Sequence, residues 1–134
     1  MRVVLDANVL IAAYAARGLC EAIVELCIAN DDIILTADIL ADVREKLTKR
    51  IKLPAEAAGK IESFLKNNAE LVTPAEVDPT VCRDVDDIDV LGAARAAEAD
   101  FIITGDDDLL VLGEFFGTKI VSPRQYWEAF SRRK

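Results

Sequence analysis

The segment D-V-D-D-I-D-V-L-G-A-A-R-A-A-E-A-D-F-I-I-T-G-D-D-D-L-L, residues Asp84 to Leu110, decides how the rest of the chain is read. It divides into an acidic loop, a helix of small residues, an apolar strand and a second acidic loop. Asp86 or Asp87 suits the helix N-terminus, where a short carboxylate accepts from otherwise unpaired N–H groups. Val90, Leu91, Ala94 and Ala97 recur at helical spacing, and the Gly and Ala content predicts close packing on a sheet. Phe101 to Thr104 shows no polar alternation, the pattern of a strand buried on both faces of a parallel sheet. In a β-α-β unit the helix runs back against the strands, so its N-terminus lies at their C-terminal edge. Asp87 opens the helix and Asp106 follows the strand. Both carboxylates are therefore expected at one edge, the edge where open α/β sheets bind ligands.

Working outward, a first strand at Arg2–Leu5 ends on Asp6, which brings a third carboxylate to that edge. Helical patterns follow at Val9–Ala16 and Leu19–Ile28, then a strand at Ile33–Leu35. Thr36 is placed to cap a helix over Ala37–Arg50, with Ile39, Leu40, Val43, Leu47 and Ile51 as its buried stripe. Pro54 suits the first turn of another helix, with Ala57, Ile61, Phe64 and Leu65 inward. A short strand is expected near Leu71 and Val72. Residues Leu109–Phe116 read as a short helix stopped by Gly117, followed by a strand at Lys119–Val121 and a last helix started by Ser122 and Pro123. Alternating strands and helices predict an α/β fold, a three-layer α/β/α sandwich around a mostly parallel five-stranded sheet. A length of 134 residues, 52% of them hydrophobic, fits one domain over residues 1–134.

Composition removes several chemistries. There is no histidine, so Ser-His-Asp and Cys-His catalysis, His-ligated zinc and a histidine base are excluded. Cys20, Cys27 and Cys82 make an odd count without a C-x-x-C pair, so neither a disulfide framework nor a zinc site is indicated, and Cys20 and Cys27 read as buried thiols. No apolar run approaches the ~20 residues of a membrane span, and no charged-then-apolar leader opens the chain. A reducing cytoplasm is the expected setting. The net charge of -8, from 16 Lys and Arg against 24 Asp and Glu, ordinarily disfavours a nucleic-acid partner. Clustered carboxylates that bind divalent cations reverse the field locally.

Two like charges ~4 Å apart repel by about 4 kcal/mol at an effective dielectric near 20. Convergence of Asp6, Asp87 and Asp106 thus calls for a cation between them. With no imidazole or thiolate pair nearby, that cation is hard and oxygen-loving, Mg²⁺ or Mn²⁺. Such an ion polarises a phosphoryl oxygen and makes water nucleophilic near neutral pH, in place of the missing base. The bland alternative makes each Asp a helix cap or turn residue. A further acid is open between Asp42 and Glu45: at 100° per residue Asp42 lies roughly 130° from the centre of its helix's apolar stripe and Glu45 nearly opposite it. Arg44, Lys46, Lys49, Arg50 and Lys52 form the one dense basic run. Lys46, Lys49 and Arg50 are candidates to track a nucleic-acid backbone, or else part of a solvated face.

Four motifs in order, V-V-L-D-A-N-V-L, L-T-A-D-I-L-A-D-V-R-E-K-L, D-D-I-D-V-L-G-A-A and T-G-D-D-D-L-L, resemble the PIN domain over essentially the whole chain. The likeness is to the prokaryotic group regarded as toxins of toxin-antitoxin pairs, related to VapC-type ribonucleases. It implies a sheet of order 3-2-1-4-5, acidic residues that bind Mg²⁺ or Mn²⁺, and cleavage of RNA to 5′-phosphate and 3′-hydroxyl ends. It also implies a cognate antitoxin and a homodimer, to which apolar positions such as Tyr14, Leu19 and Ile23 would contribute. By position, the metal-binding acids match Asp6, Asp87 and Asp106, and supporting polar positions match Asn8, Thr104 and Asp108. The family's second acid, usually Glu, falls on Asp42. Aspartate is one methylene shorter, so coordination there would go through a water, or through Glu45 one turn on.

Two other readings stand beside this one. A phosphatase of the haloacid dehalogenase type also opens with an Asp after strand one, but the position of its general acid is Asn8. A PIN-like module that binds RNA or protein without turnover is kept open by the Asp42 departure.

Overall fold

In a computed structural model describing residues 1–132, six strands form one sheet in the order β3-β2-β1-β4-β6-β5. Arg133 and Lys134, the end of the basic C-terminal run, lie outside the described residues. The strands are β1 (Arg2–Leu5), β2 (Asp32–Leu35), β3 (Ala69–Leu71), β4 (Phe101–Ile103), β5 (Glu114–Phe115) and β6 (Thr118–Val121). All neighbours pair in parallel except β5 with β6. The helices are α1 (Ala7–Ala15), α2 (Leu19–Asn30), α3 (Ala37–Lys49), α4 (Ala55–Asn67), α5 (Val85–Ala97), α6 (Asp107–Leu110) and α7 (Pro123–Phe130).

The central strands β1, β2 and β4 are short and apolar through their buried residues because both faces are covered. Val3, Val4, Leu5, Ile33, Ile34, Leu35, Ile102 and Ile103 are buried, and the helical stripes of Leu10, Ile23, Leu47 and Leu91 pack into the same core. α1 lies on α2 and α3, α3 on α4, and α5 against β1, β2 and β4. β1 feeds a crossover to β2 on one side, and β4 joins it on the other. The order of strands therefore reverses at β1, and a crevice opens beyond the ends of β1 and β4.

Local signals placed several elements as expected. Thr36 caps α3, its hydroxyl accepting from the Ile39 N–H at 3.0 Å. Ser122 and Gln125 close a reciprocal capping box on α7 with Pro123 in its first turn.

Other expectations are corrected. The sheet has six strands, not five: residues predicted as a helix through Phe116 stop at α6 and turn into the β5–β6 hairpin. Its two-residue turn, Phe116 (φ 49°) and Gly117 (φ 84°), is left-handed at both positions, the geometry a tight hairpin requires. Phe116 is tolerated there with the Arg95 guanidinium 4.0 Å over its ring. Ile23, named for a dimer surface, is fully buried, and Phe64, predicted inward, is 47% exposed. On α4 the inward positions are Ala58 and Leu65, because α3 and β3 are the elements it packs against. Gly92 of α5 meets not the sheet but the loop: a Cβ there would lie 2.6 Å from the Ala75 carbonyl oxygen.

Candidate metal centre

The end of β1 carries Asp6, buried with 7% exposure, whose carbonyl starts α1. The hydroxyl of Thr104, just past β4, donates to Asp6 Oδ2 at 2.6 Å. The same Thr104 oxygen accepts from the Asp106 N–H at 3.0 Å, and Asp106 Oδ1 accepts from the Asp108 N–H at 2.9 Å. One line of hydrogen bonds thus ties the first strand to the turn into α6. Burial pushes the Asp6 carboxyl up; Thr104 and the Asn8 and Ala7 amides pull it back, and the Asp106 charge adds to the rise.

Asp84, not Asp86 or Asp87, caps α5, accepting from the Asp86 N–H at 2.9 Å. That shift of register puts Asp87 in the first turn and turns it inward, 4% exposed. Its Oδ2 is buried without a hydrogen-bond partner. Burial first, then the Asp106 carboxylate, as a like charge and as a group able to share a proton, raise the Asp87 carboxyl to about 7; Asp84 and Asp6 add to this. Among the described residues, Asp87, Asp106 and Asp108 bring one oxygen each within 4.8 Å of one another. Asp108 was expected only as a supporting position. Asp6 stands outside that trio. The run of three aspartates after Gly105 was the available signal: a capping Asp106 places the residue two further on beside it. Arg83, before α5, donates to both Asp108 oxygens at 3.0 and 3.1 Å, and nothing in its spacing announced that contact.

A cavity of about 190 Å³ opens onto Asp6, Asp87 and Asp106, while Asp108 is not among the residues that line it. Asp6, Ala7 and Asn8 come from β1 and α1, Asp84, Asp86, Asp87, Asp89 and Val90 from the start of α5, and Asp106 from the turn after β4. α3 contributes Asp38, Ile39, Asp42, Lys46 and Arg50. Glu45 is exposed and paired with Lys46 at 3.5 Å, and Lys49 is exposed; neither lines the cavity. Asp42 is also paired with Lys46, at 3.4 Å. Asp89 accepts from the Thr36 hydroxyl at 2.7 Å, so the α3 cap doubles as a tie to α5. Burial raises Asp86, and Asp42 and Asp84 raise it further, against the opposing charge of Lys46.

The trio fits a hard divalent cation. Its donors are all carboxylate oxygens, and Asp87 presents a buried oxygen with no partner. A soft ligand is lacking: burial, then the surrounding carboxylates, push the Cys82 thiol up and keep it protonated.

Residues 2–108 match the PIN domain. Among solved structures, a chain of VapBC2 from Rickettsia felis, in a crystal structure of that complex bound to a DNA fragment from their promoter, superposes with a TM-score of 0.63. The match covers 91% of this chain and 98% of that one at 14% identity, a likeness of fold. No curated protein matches. Among the described residues no helix is long and apolar enough to cross a membrane.

Proposed function

The chain belongs to the PIN domain family, and on that premise we propose that it is a divalent-metal-dependent endoribonuclease, the toxin of a toxin-antitoxin pair. The observation that carries this reading is the buried, unpartnered Asp87 Oδ2 beside Asp106 and Asp108. A buried carboxylate oxygen without a donor is costly unless a cation completes it. Mg²⁺ or Mn²⁺, when bound, supplies Lewis acidity to the phosphoryl oxygen and to the attacking water.

The chain's own residues do the rest. Asp87, Asp106 and Asp108 hold the cation, and Asp87 must release its proton to do so, which makes affinity fall below about pH 7. Asp6, fixed by Thr104, faces the same cavity and orients the attacking water through its remaining oxygen. Asn8, exposed at the cavity wall, offers an amide to a non-bridging phosphate oxygen. Lys46 and Arg50 offer positive charge to the backbone of the strand being cut; Lys49 and Glu45, away from the cavity, take no part. The products carry 5′-phosphate and 3′-hydroxyl ends. The VapBC2 likeness supports a cognate antitoxin as partner, and homodimerisation and a cytoplasmic setting belong to the same proposal. A module that binds RNA or protein without turnover is the second reading, favoured by one observation: Asp42 pairs with Lys46 and does not join the carboxylate trio.

The test is cleavage of a labelled single-stranded RNA with Mn²⁺ or Mg²⁺, by wild type, by wild type with chelator, and by Asp87→Asn purified identically. Loss of cleavage with both chelator and substitution supports the nuclease. Equal cutting by Asp87→Asn sinks the site assignment, and binding without any cutting favours the module.

A further inference from the structure

The loop that leads into α5 ends in three consecutive residues that reach both elements carrying the carboxylate trio. Cys82 directs its thiol to the Asp108 carbonyl at 3.9 Å. Arg83 donates to both Asp108 carboxylate oxygens, at 3.0 and 3.1 Å, through a single nitrogen, Nη2. Asp84 caps α5, the helix that carries Asp87. Among the described residues the Arg83 guanidinium makes no other hydrogen bond or ion pair, and its side chain is 87% exposed. Little packs it in place, so the Asp108 charge is what holds it there.

Asp108 gives one oxygen to the trio with Asp87 and Asp106. Two roles fit the Arg83 contact: a brace that orients this carboxylate, or a rival for it. The geometry favours the rival. Asp108 is already placed by its own backbone, its N–H donating to Asp106 Oδ1 at 2.9 Å and its carbonyl facing Cys82, so it needs no guanidinium to meet the trio. One nitrogen at 3.0 and 3.1 Å from the two oxygens sits in the fork between them, where a cation chelated by that carboxylate would also sit. Nor can the guanidinium give way by losing its proton. Resting on the metal-dependent reading, we infer that Arg83 is a tethered counter-cation that competes with the divalent ion for Asp108, and so raises the concentration of that ion the site needs. Exposure limits the effect. A pair this open to water holds weakly and parts at small cost, so the competition is worth a few-fold in affinity and salt screens it. Because one nitrogen makes both contacts, the forked geometry special to arginine is not used, and a lysine ammonium can stand in for it.

The experiment titrates Mn²⁺ by calorimetry into wild type, Arg83→Gln and Arg83→Lys, at about 0.01 M and about 1 M salt. In parallel, Mg²⁺ is added to wild type with isotope-labelled arginine, and the Arg83 Nε–H signal, identified by its loss in Arg83→Lys, is followed by NMR. At low salt Arg83→Gln should bind Mn²⁺ about threefold tighter than wild type, and the gain should fade at high salt. Arg83→Lys should stay within about twofold of wild type. The Arg83 signal should shift as Mg²⁺ saturates the protein. Weaker binding by Arg83→Gln makes the residue a brace and overturns the inference, as does unchanged binding at low salt. Tighter binding with an Arg83 signal that Mg²⁺ leaves unmoved reduces the effect to a distant charge and overturns the contest for Asp108. If wild type itself takes up no Mn²⁺, the metal-dependent reading fails and this inference with it; if wild type binds and Arg83→Gln binds no tighter, the inference alone fails.

Discussion

Removing the Asp87 charge should make the metal-free protein more stable. The Asp87 carboxyl is raised from its ordinary 3.8 to about 7. Between those values the folded protein keeps a proton that the unfolded chain has already released, so metal-free stability falls as pH rises through that window and stays low above it. A rise of this size converts to roughly 4 kcal/mol at ~1.36 kcal/mol per pH unit. The carboxylate borders an open cavity and water screens part of that, so about half, ~2 kcal/mol, is the working figure. Asp87→Asn removes the charge while its amide can donate to Asp106, as the protonated acid would. With an unfolding entropy of about 2.1 cal/mol/K per residue over 134 residues, ~2 kcal/mol corresponds to a Tm higher by about 7 °C. The assay is thermal unfolding of both proteins in chelator at pH 8, 6.5 and 5, and again with Mn²⁺. In chelator the variant should lead at pH 8, by less at each lower pH. With Mn²⁺ at ~100 times its Kd the wild type should gain about 2.7 kcal/mol and overtake a variant that gains little. A variant no more stable than wild type at pH 8 in chelator, or equal stabilisation of both by Mn²⁺, would refute the reasoning.

Thr104→Val keeps the shape but takes the donor from Asp6 Oδ2 and the acceptor from the Asp106 N–H; a loss of about 1–3 kcal/mol in urea unfolding is expected, with the Asp6 carboxyl pushed further up. Gly92→Ala sets a Cβ 2.6 Å from the Ala75 carbonyl oxygen, so either the loop or α5 must move; a loss of about 1–3 kcal/mol should appear with weaker Mn²⁺ binding, because α5 carries Asp87. Thr36→Ala removes the α3 cap and the donor to Asp89, and should cost about 1–2 kcal/mol with no change in Mn²⁺ affinity, read by chemical unfolding and calorimetry.

Much of the fold was legible because periodicity and caps carry it. Apolar runs gave the four central strands, Thr36 and Ser122-Pro123 gave helix starts, and Asp6, Asp87 and Asp106 gave the edge where the cavity opens. What was missed depends on contacts that no local pattern encodes. The β5–β6 turn hid because its first left-handed position is Phe116, held by Arg95 from another element, where sequence rules look for Asn or Gly. Ile23 and Phe64 each carry an apolar residue on a helix, and only the neighbours of that helix decide whether it is covered. At the site, the residues converging on the cavity were readable, but their division of labour was not. Asp84 takes the cap and leaves Asp87 in the first turn, Thr104 donates to Asp6 while accepting from the Asp106 N–H, and Lys46 pairs with Asp42.

The hydrogen bond between Thr104 and Asp6 joins residues 98 positions apart in the chain. Synthesis makes Asp6 long before its holder, which reaches it only when β4 has been made and paired with β1, and Asp106 and Asp108 follow Thr104. Translation therefore leaves the carboxylate cluster incomplete until residue 108 has been made and β4 has paired with β1. On the nuclease reading proposed above, the order of the segments itself delays the hazard until those residues are in place.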